Sequence, residues 1–236
     1  MTIELITFDL DDTLWDTAPV IASAETVLQT WLAENAPKLG ALDVAGYQAL
    51  RQRVLVDEPQ LKHRISALRR RVLFHALEGA GYADAEAEAM AEQAFEVFIE
   101  ARHALEVFPQ AEPTLIALAS DYTLGVVTNG NADVRRIGLG HHFKFVLCAE
   151  DIGIAKPDAR LFHEALRRGG SISPAATVHV GDHPGDDIAG AQQAGLRAIW
   201  FNPGGKHWEG DKAPDAEVGC LSELPAVLKT MRTQAL

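Results

Sequence analysis

Cysteine is scarce in this chain, and that scarcity excludes a disulfide-stapled fold. Cys148 and Cys220 are the two thiols in 236 residues, with no CxxC pair between them. They read as reduced thiols of a cytoplasmic protein, in or near apolar strands. A basic excess is also missing. Lysine and arginine number 21 against 33 acids, a formal net charge of −12. Nothing in that balance favours nucleic acid. No apolar run is long enough to cross a membrane. The segment Thr2 to Phe8 is short and runs into acids, so it reads as neither signal peptide nor anchor. Internal repeats and low-complexity tracts are absent, and no obligate protein partner is evident. The histidines, including the pair His141-His142, lack metal-ligand spacing.

What the chain does have is a set of acids at the ends of apolar segments. The run ITFDLDDTLWD, Ile6 to Asp16, is an apolar strand that opens into Asp9, Asp11, Asp12 and Asp16. If the strand persists, Asp9 and Asp11 point the same way. Two carboxylates about 4 Å apart repel by on the order of 4 kcal/mol at an effective dielectric of about 20. A hard divalent cation such as Mg²⁺ between them is the natural remedy. Taken alone, the run also reads as an acidic turn that follows a strand.

Three further segments follow in order. LGVVTNGN, Leu124 to Asn131, is a second apolar strand ending in Thr128, Asn129 and Gly130. A hydroxyl beside freed backbone N–H groups makes an anion nest for a phosphate oxygen. Asn-Gly is also a common turn pair. GIAKPDARLFHEAL, from Gly153, sets Lys156 before a proline where a helix would start. Its ammonium could offset a phosphoryl oxygen and a carboxylate together. VHVGDHPGDDIAGAQQAG, from Val178, ends a short strand at Asp182 and then presents Asp186 and Asp187. Asp182 suits a direct metal ligand. Asp187 could orient Lys156 or a metal-bound water, although helix capping explains Asp186 or Asp187 equally well. His183 lies in the same loop. Four such segments, each at the carboxyl end of an apolar strand, fit the place where open parallel sheets bind ligands.

In this combination the chain resembles the haloacid dehalogenase-like hydrolase superfamily, most of whose members are Mg²⁺-dependent phosphatases. DLDDT matches its first motif, Thr128 the second, Lys156 the third and GD…DD the fourth. The resemblance covers the chain outside about Ala18 to Glu106. It implies Asp9 as a nucleophile that becomes an aspartyl-phosphate, with Asp11 as the acid for the leaving alcohol and then the base for water. It implies Thr128, Asn129 and Lys156 on the phosphoryl group. Asp9, the Asp11 carbonyl and Asp182 would hold Mg²⁺, and Asp187 would support Lys156 or the metal. The dehalogenase branch lacks an acid at the position of Asp11. The stretch Thr128 to Leu147 is similar to a bacterial subgroup acting on flavin mononucleotide or the riboflavin-pathway phosphate 5-amino-6-(5-phospho-D-ribitylamino)uracil. The implied partner is therefore a small phosphorylated metabolite. A phosphomutase or nucleotidase of the same fold, or a non-catalytic binding or regulatory protein, are the alternatives.

The expected architecture is an α/β, doubly wound parallel (Rossmann-like) sheet with an inserted α-helical cap. Strands are expected near 3–9, 122–128, 144–149, 177–181 and 197–201, and core helices near 110–120, 158–169 and 186–194. Residues 18–105 show helical periodicity broken at Pro37, Gly40, Pro59 and Gly81. They read as a cap of helices near 19–34, 43–56, 60–79 and 84–105, with 1–17 and 106–236 as the catalytic core. In the cap, His63 and Arg64 are the candidates for reading the leaving group. Arg69, Arg70 and Arg71 read better as a solvated face balanced by glutamates. Trp15 could stack on a flat ring or serve the core or hinge. GGKHW, from Gly204, lacks P-loop spacing and reads as a turn near the site mouth.

Overall fold

The computed structural model describes residues 2–233. Six parallel strands form one sheet in the order β3-β2-β1-β4-β5-β6. They are β1 (Leu5–Phe8), β2 (Thr123–Thr128), β3 (Phe145–Cys148), β4 (Thr177–Gly181), β5 (Arg197–Phe201) and β6 (Ala216–Val218). The central strand β1 is buried along its whole length. Helices on both faces of a parallel sheet demand such unbroken apolar strands. β1 pairs with β2 on one side and β4 on the other, with Thr7 level with Gly125 and His179. The strand order reverses around β1, so the carboxyl ends of β1, β2 and β4 flank the crevice where such sheets bind ligands.

The chain divides into two compact units, Met1–Asp16 with Glu106–Leu236, and Thr17–Leu105. The first carries the sheet and the helices α5 (Ala111–Ala119), α6 (Ala149–Ile152), α7 (Ala159–Gly169), α8 (Gly190–Gln193) and α9 (Leu224–Thr233). Part of its core joins Leu5, Val127 and Leu147 of the strands to Leu161, Phe162, Ile188 and Ala191 of the helical side. Cys148 and Cys220 are free thiols of intermediate exposure.

The second unit is helical: α1 (Thr17–Asn35), α2 (Val44–Asp57), α3 (Ile65–Gly79) and α4 (Asp84–His103). In α1 the buried positions Val20, Ala24, Leu28 and Leu32 recur every four residues, the spacing of one helix face. Ala24, Leu28 and Leu32 share a core with Leu73 and Leu77 of α3 and Ala91, Phe95 and Phe98 of α4. No helix among the described residues is long and apolar enough to cross a membrane.

Several elements differ from the sequence expectation. The helix expected over 60–79 begins at Ile65, because Pro59–Leu61 forms a separate 3-10 turn. The helix expected over 186–194 is a π-type turn, Pro184–Ala189, followed by short α8. α7 starts two residues after Pro157, with the Asp158 side chain accepting from the Arg160 N–H at 2.9 Å. β6, α6 and α9 were not anticipated.

Candidate active site

β1 ends at Phe8, and the next backbone N–H, that of Asp9, donates to the Val180 carbonyl at 2.9 Å. Asp9 is thereby fixed at the tip of the sheet. The chain then turns instead of continuing as a strand. The N–H groups of Thr13 and Leu14 both donate to the Leu10 carbonyl, and Asp12 adopts a left-handed φ of 59°, a conformation Asp tolerates better than most residues. The strand does not persist past Phe8, so strand alternation is not what places Asp11 relative to Asp9. Asp11 is positioned by the turn and by Trp15, whose Nε1–H donates to Asp11 Oδ1 at 2.9 Å.

The second motif approaches Asp11 from β2. A Cβ on Gly130 would stand 2.3 Å from Asp11 Oδ2. Only glycine lets this loop and the acid come so close. Thr128 Oγ1 accepts from the Gly130 N–H at 3.0 Å. The Asn129 side chain is turned to the lysine loop. Its Oδ1 accepts from the Lys156 N–H at 2.8 Å and its Nδ2 donates to the Lys156 carbonyl at 3.1 Å. The Asn129 amide thus positions the lysine, and its carboxamide is not free to face an anion.

Lys156 is buried, and its Nζ donates at 2.6 Å to Asp9 Oδ1 and at 2.6 Å to Asp187 Oδ1. Asp187 Oδ1 also lies 3.1 Å from His179 Nε2, and Oδ2 accepts from the His183 N–H at 2.9 Å. Both oxygens of Asp187 are thus engaged by the protein. Helix capping does not describe Asp187, which is buried; the cap is His183, whose Nδ1 accepts from the Asp186 N–H at 3.0 Å. Gly181 makes room for Asp187, since a Cβ there would meet its carboxyl carbon at 2.3 Å.

His179 was missed by sequence reasoning. It sits inside β4, fully buried, with Nδ1 2.9 Å from Thr7 Oγ1 on β1 and its ring edge-to-face with Phe162. A lone histidine in an apolar strand carries no signal, because its partners are revealed only by strand pairing. Burial lowers its pKa despite the hydrogen bond it makes to the Asp187 carboxylate. A neutral ring that donates from Nε2 to Asp187 and accepts at Nδ1 from the Thr7 hydroxyl satisfies all three groups.

Carboxylate oxygens of Asp9, Asp182 and Asp187 lie within 4.8 Å of one another. Burial pushes Asp9 up to about 8, against the pull of Lys156. Asp182 is raised to about 6, first by burial and then by the charges of Asp187 and Asp12. Asp187 is held low, because Lys156 and His179 outweigh its burial. Lys156 is held high by Asp187 and Asp9 despite burial. Three carboxylates around one ammonium leave excess negative charge, and an oxygen-rich donor set of this kind fits Mg²⁺. Asp182 is steadied from two sides. Its Oδ1 is 3.5 Å from Thr13 Oγ1, and its carbonyl accepts from Trp200 Nε1 at 2.8 Å.

The remaining candidates fall elsewhere. Trp15 is fully buried, so its ring is not available to stack on a substrate; its role is the bond to Asp11. His63 lies in the turn before α3, and Arg64, exposed, is the residue preceding that helix. Arg69 and Arg70 stack over Phe98 and Phe95, at 3.7 Å and 3.6 Å from the ring centroids, and pair with Glu25 and Glu92. Arg71 pairs with Glu58. This is the balanced face expected of the three arginines, with aromatic packing added. The 204–208 segment has no regular structure, and Trp208 lines a cavity of about 500 Å³ together with Pro184 and Gly185 of the fourth-motif loop.

Comparison with known proteins adds independent findings. The profile of the haloacid dehalogenase-like hydrolase family matches residues 3–195. The 5-amino-6-(5-phospho-D-ribitylamino)uracil phosphatase YigB of Escherichia coli (strain K12) is 34% identical over 230 residues, covering 96% of each chain. A crystal structure described as a 2-haloacid dehalogenase from Pseudomonas syringae pv. tomato DC3000 superposes with a TM-score of 0.96. It is 61% identical and covers 98% of this chain and 100% of its own. The putative hydrolase YfnB from Bacillus subtilis, solved bound to magnesium, gives a TM-score of 0.68 at 25% identity, covering 97% of this chain and 100% of its own.

Proposed function

The chain belongs to the haloacid dehalogenase-like hydrolases and is a hydrolase of phosphate monoesters; on that premise we propose that it works through an aspartyl-phosphate on Asp9. The observation that carries this reading is the buried bridge of Lys156 between Asp9 and Asp187, with Asp11 held alongside by Trp15 and Gly130. An Asp9 carboxylate oxygen attacks phosphorus, and the bond from phosphorus to the ester oxygen breaks. The departing oxygen takes a proton from Asp11. Water then attacks phosphorus, giving its proton to Asp11 and releasing Asp9 and phosphate. The nucleophile splits one hard step into two, and the acid two residues on serves both. Lys156 and the Thr128 hydroxyl hold phosphoryl oxygens, joined by the backbone N–H of Asn129, whose side chain secures the lysine loop. Asp187, oriented by His179 and the His183 N–H, keeps the ammonium aimed at Asp9.

Asp9, the backbone carbonyl of Asp11 and Asp182 are the groups we assign to Mg²⁺; when bound, the ion supplies positive charge against the phosphoryl oxygens. The excess acid of the site and the magnesium bound by the B. subtilis relative support that assignment. We assign 1–17 and 106–236 to the catalytic core and 18–105 to an inserted helical domain. Two free thiols support a cytoplasmic location. For substrate, the full-length similarity to the E. coli enzyme supports a phosphate ester on a flexible polyol chain bearing a planar heterocycle, flavin mononucleotide among them.

Dehalogenation is a second reading, favoured by the description of the P. syringae structure. Asp11 speaks against it, since the resemblance places no acid there in the dehalogenase branch. One experiment separates the readings. Purified protein with Mg²⁺ is given flavin mononucleotide, 5-amino-6-(5-phospho-D-ribitylamino)uracil, a simple sugar phosphate and a 2-haloacid, and phosphate and halide are both measured. Phosphate release abolished by EDTA, with the heterocyclic esters preferred in kcat/KM, is expected. Halide release without phosphate release would overturn the mechanism. Equal use of all the phosphate esters would overturn only the substrate class.

A further inference from the structure

Glu112 and the adjacent pair His141-His142, about thirty positions apart in sequence, converge on the sheet-bearing unit. Glu112 lies in the first turn of α5. His141 and His142 belong to a 3-10 turn, Gly140–His142, just before β3. His142 Nε2 is 3.3 Å from Glu112 Oε1, and the two imidazole centroids are 3.8 Å apart at a 42° tilt. One donor atom from each of the three residues lies within 4.8 Å of the others. A hydrogen bond between Glu112 and His142 accounts for a single contact. His141, the neighbour of His142 in the turn, brings a second imidazole to the same place.

Two imidazoles and a carboxylate form a donor set for borderline transition cations rather than for Mg²⁺. Bonds from Zn²⁺ to such donors run roughly 2.0–2.2 Å, so adjacent ligands of a tetrahedral centre stand roughly 3.4 Å apart. The Glu112–His142 separation already has the length of one such edge. The His142 side chain is 7% exposed and that of Glu112 is 50% exposed. The site thus has a packed side and a solvent side, leaving a position for water.

We propose that Glu112, His141 and His142 form a transition-metal site that takes Zn²⁺ or a cation of similar softness, separate from the aspartates around Asp9. The bound ion ties the first turn of α5 to the turn ahead of β3. By binding the folded chain, it raises stability. Sequence spacing hides the site, because the glutamate stands about thirty positions before the histidines and meets them only in the fold.

The test is calorimetric titration of metal-stripped protein with Zn²⁺ in excess Mg²⁺, with Co²⁺ absorption as a second reading. Wild type is expected to bind one more Zn²⁺ than the His141→Ala/His142→Ala variant. Visible Co²⁺ bands of an imidazole-ligated centre are expected in wild type and missing from that variant. Glu112→Gln should weaken Zn²⁺ by about tenfold or more, a loss in the range seen when a metal's supporting groups are removed. Phosphatase turnover with Mg²⁺, measured before Zn²⁺ is added, should match wild type in every variant. If the double variant does not fold, Glu112→Gln and His142→Gln carry the comparison singly. Equal Zn²⁺ stoichiometry and affinity in wild type and the folded variants would overturn the site.

Discussion

The sheet-bearing unit and the helical unit both carry solvent-facing ion pairs, and the sheet-bearing unit adds a buried bridge of another kind. In the helical unit Arg70 meets Glu92 at 2.8 Å with side chains 34% and 55% exposed. Water competes for both partners, and pairs of this sort contribute about 0–1 kcal/mol. The arginine also lies over the Phe95 ring, so its stem and guanidinium act as packing material. In the sheet-bearing unit Lys156 is 2% exposed, between Asp9 and Asp187 at 8% and 1%. Withdrawing those charges from water costs several kcal/mol per ion, which the mutual attraction offsets only when geometry is good. A well-packed apolar trio would serve stability as well or better. The buried charges are therefore explained by the chemistry they permit, and the exposed ones by solubility and packing.

The largest effect expected from breaking this contrast is at Lys156. Lys156→Met leaves Asp9 and Asp187 without their cation, and should cost roughly 3–5 kcal/mol in urea unfolding without metal, along with all turnover. Asp9→Asn should also abolish turnover, yet hold or raise stability, because it removes carboxylate repulsion. Wild-type-like turnover by Asp9→Asn would sink the covalent mechanism. Next in size, Asp11→Asn should slow kcat by roughly 10² to 10⁴, the range of general acid–base catalysis. Trp15→Phe should slow it by roughly 10- to 100-fold, the worth of one hydrogen bond to a charged group. A larger loss at Trp15 than at Asp11 would show that the indole does more than orient the acid.

Metal removal sharpens the contrast through pH. Asp182 is raised to about 6 and Asp9 to about 8 from a usual 3.8. The metal-free folded protein therefore holds more protons than the unfolded chain between these values. The stability these groups give is fully present below about 4 and is lost as pH rises through about 6 and then about 8. EDTA-treated protein should show a falling melting temperature across that window, and Mg²⁺ should restore it. Asp182→Asn should flatten the decline near pH 6 and weaken the Mg²⁺ response. A melting temperature that rises across the window would refute the assignment. The smallest effects belong to the helical unit. Arg70→Ala should cost at most about 1 kcal/mol from the exposed pair plus a similar amount from ring stacking, with turnover unchanged. Replacing His63 and Arg64 by Ala should raise KM for the heterocyclic ester and spare p-nitrophenyl phosphate. Equal losses on both would remove these two residues from substrate reading.

The legible part of the molecule was the part written in local pattern. The apolar run before Asp9, the strand before Thr128 and the strand before Asp182 each declared themselves, and together they specified a parallel sheet with polar residues at its carboxyl ends. β6 spans three residues and gave no run to read. The 3-10 turn at Pro59 looked like the start of a long helix, because proline suits the first turn of both. What no pattern could supply was contact. His179 owes its meaning to Thr7, 172 positions away. Trp15 read equally as a stacking ring or a core or hinge residue, and only the turn after β1 shows it buried with its N–H on Asp11. The Asn129 carboxamide looked free to face a phosphate until it met the backbone of Lys156, which leaves only the Asn129 backbone N–H for that role.

Two of the four tryptophans end their indole N–H groups on the loops that carry the site's acids, Trp15 on the Asp11 carboxylate and Trp200 on the Asp182 carbonyl. Indole emission responds to charge and to hydrogen bonding at that nitrogen. The protein thus has a native optical reporter at each acid. A changed hydrogen bond at Asp11 or cation arrival near Asp182 should register as a change in fluorescence, with no label attached. A Trp15→Phe and Trp200→Phe pair of variants would tell the two signals apart and give each loop its own clock.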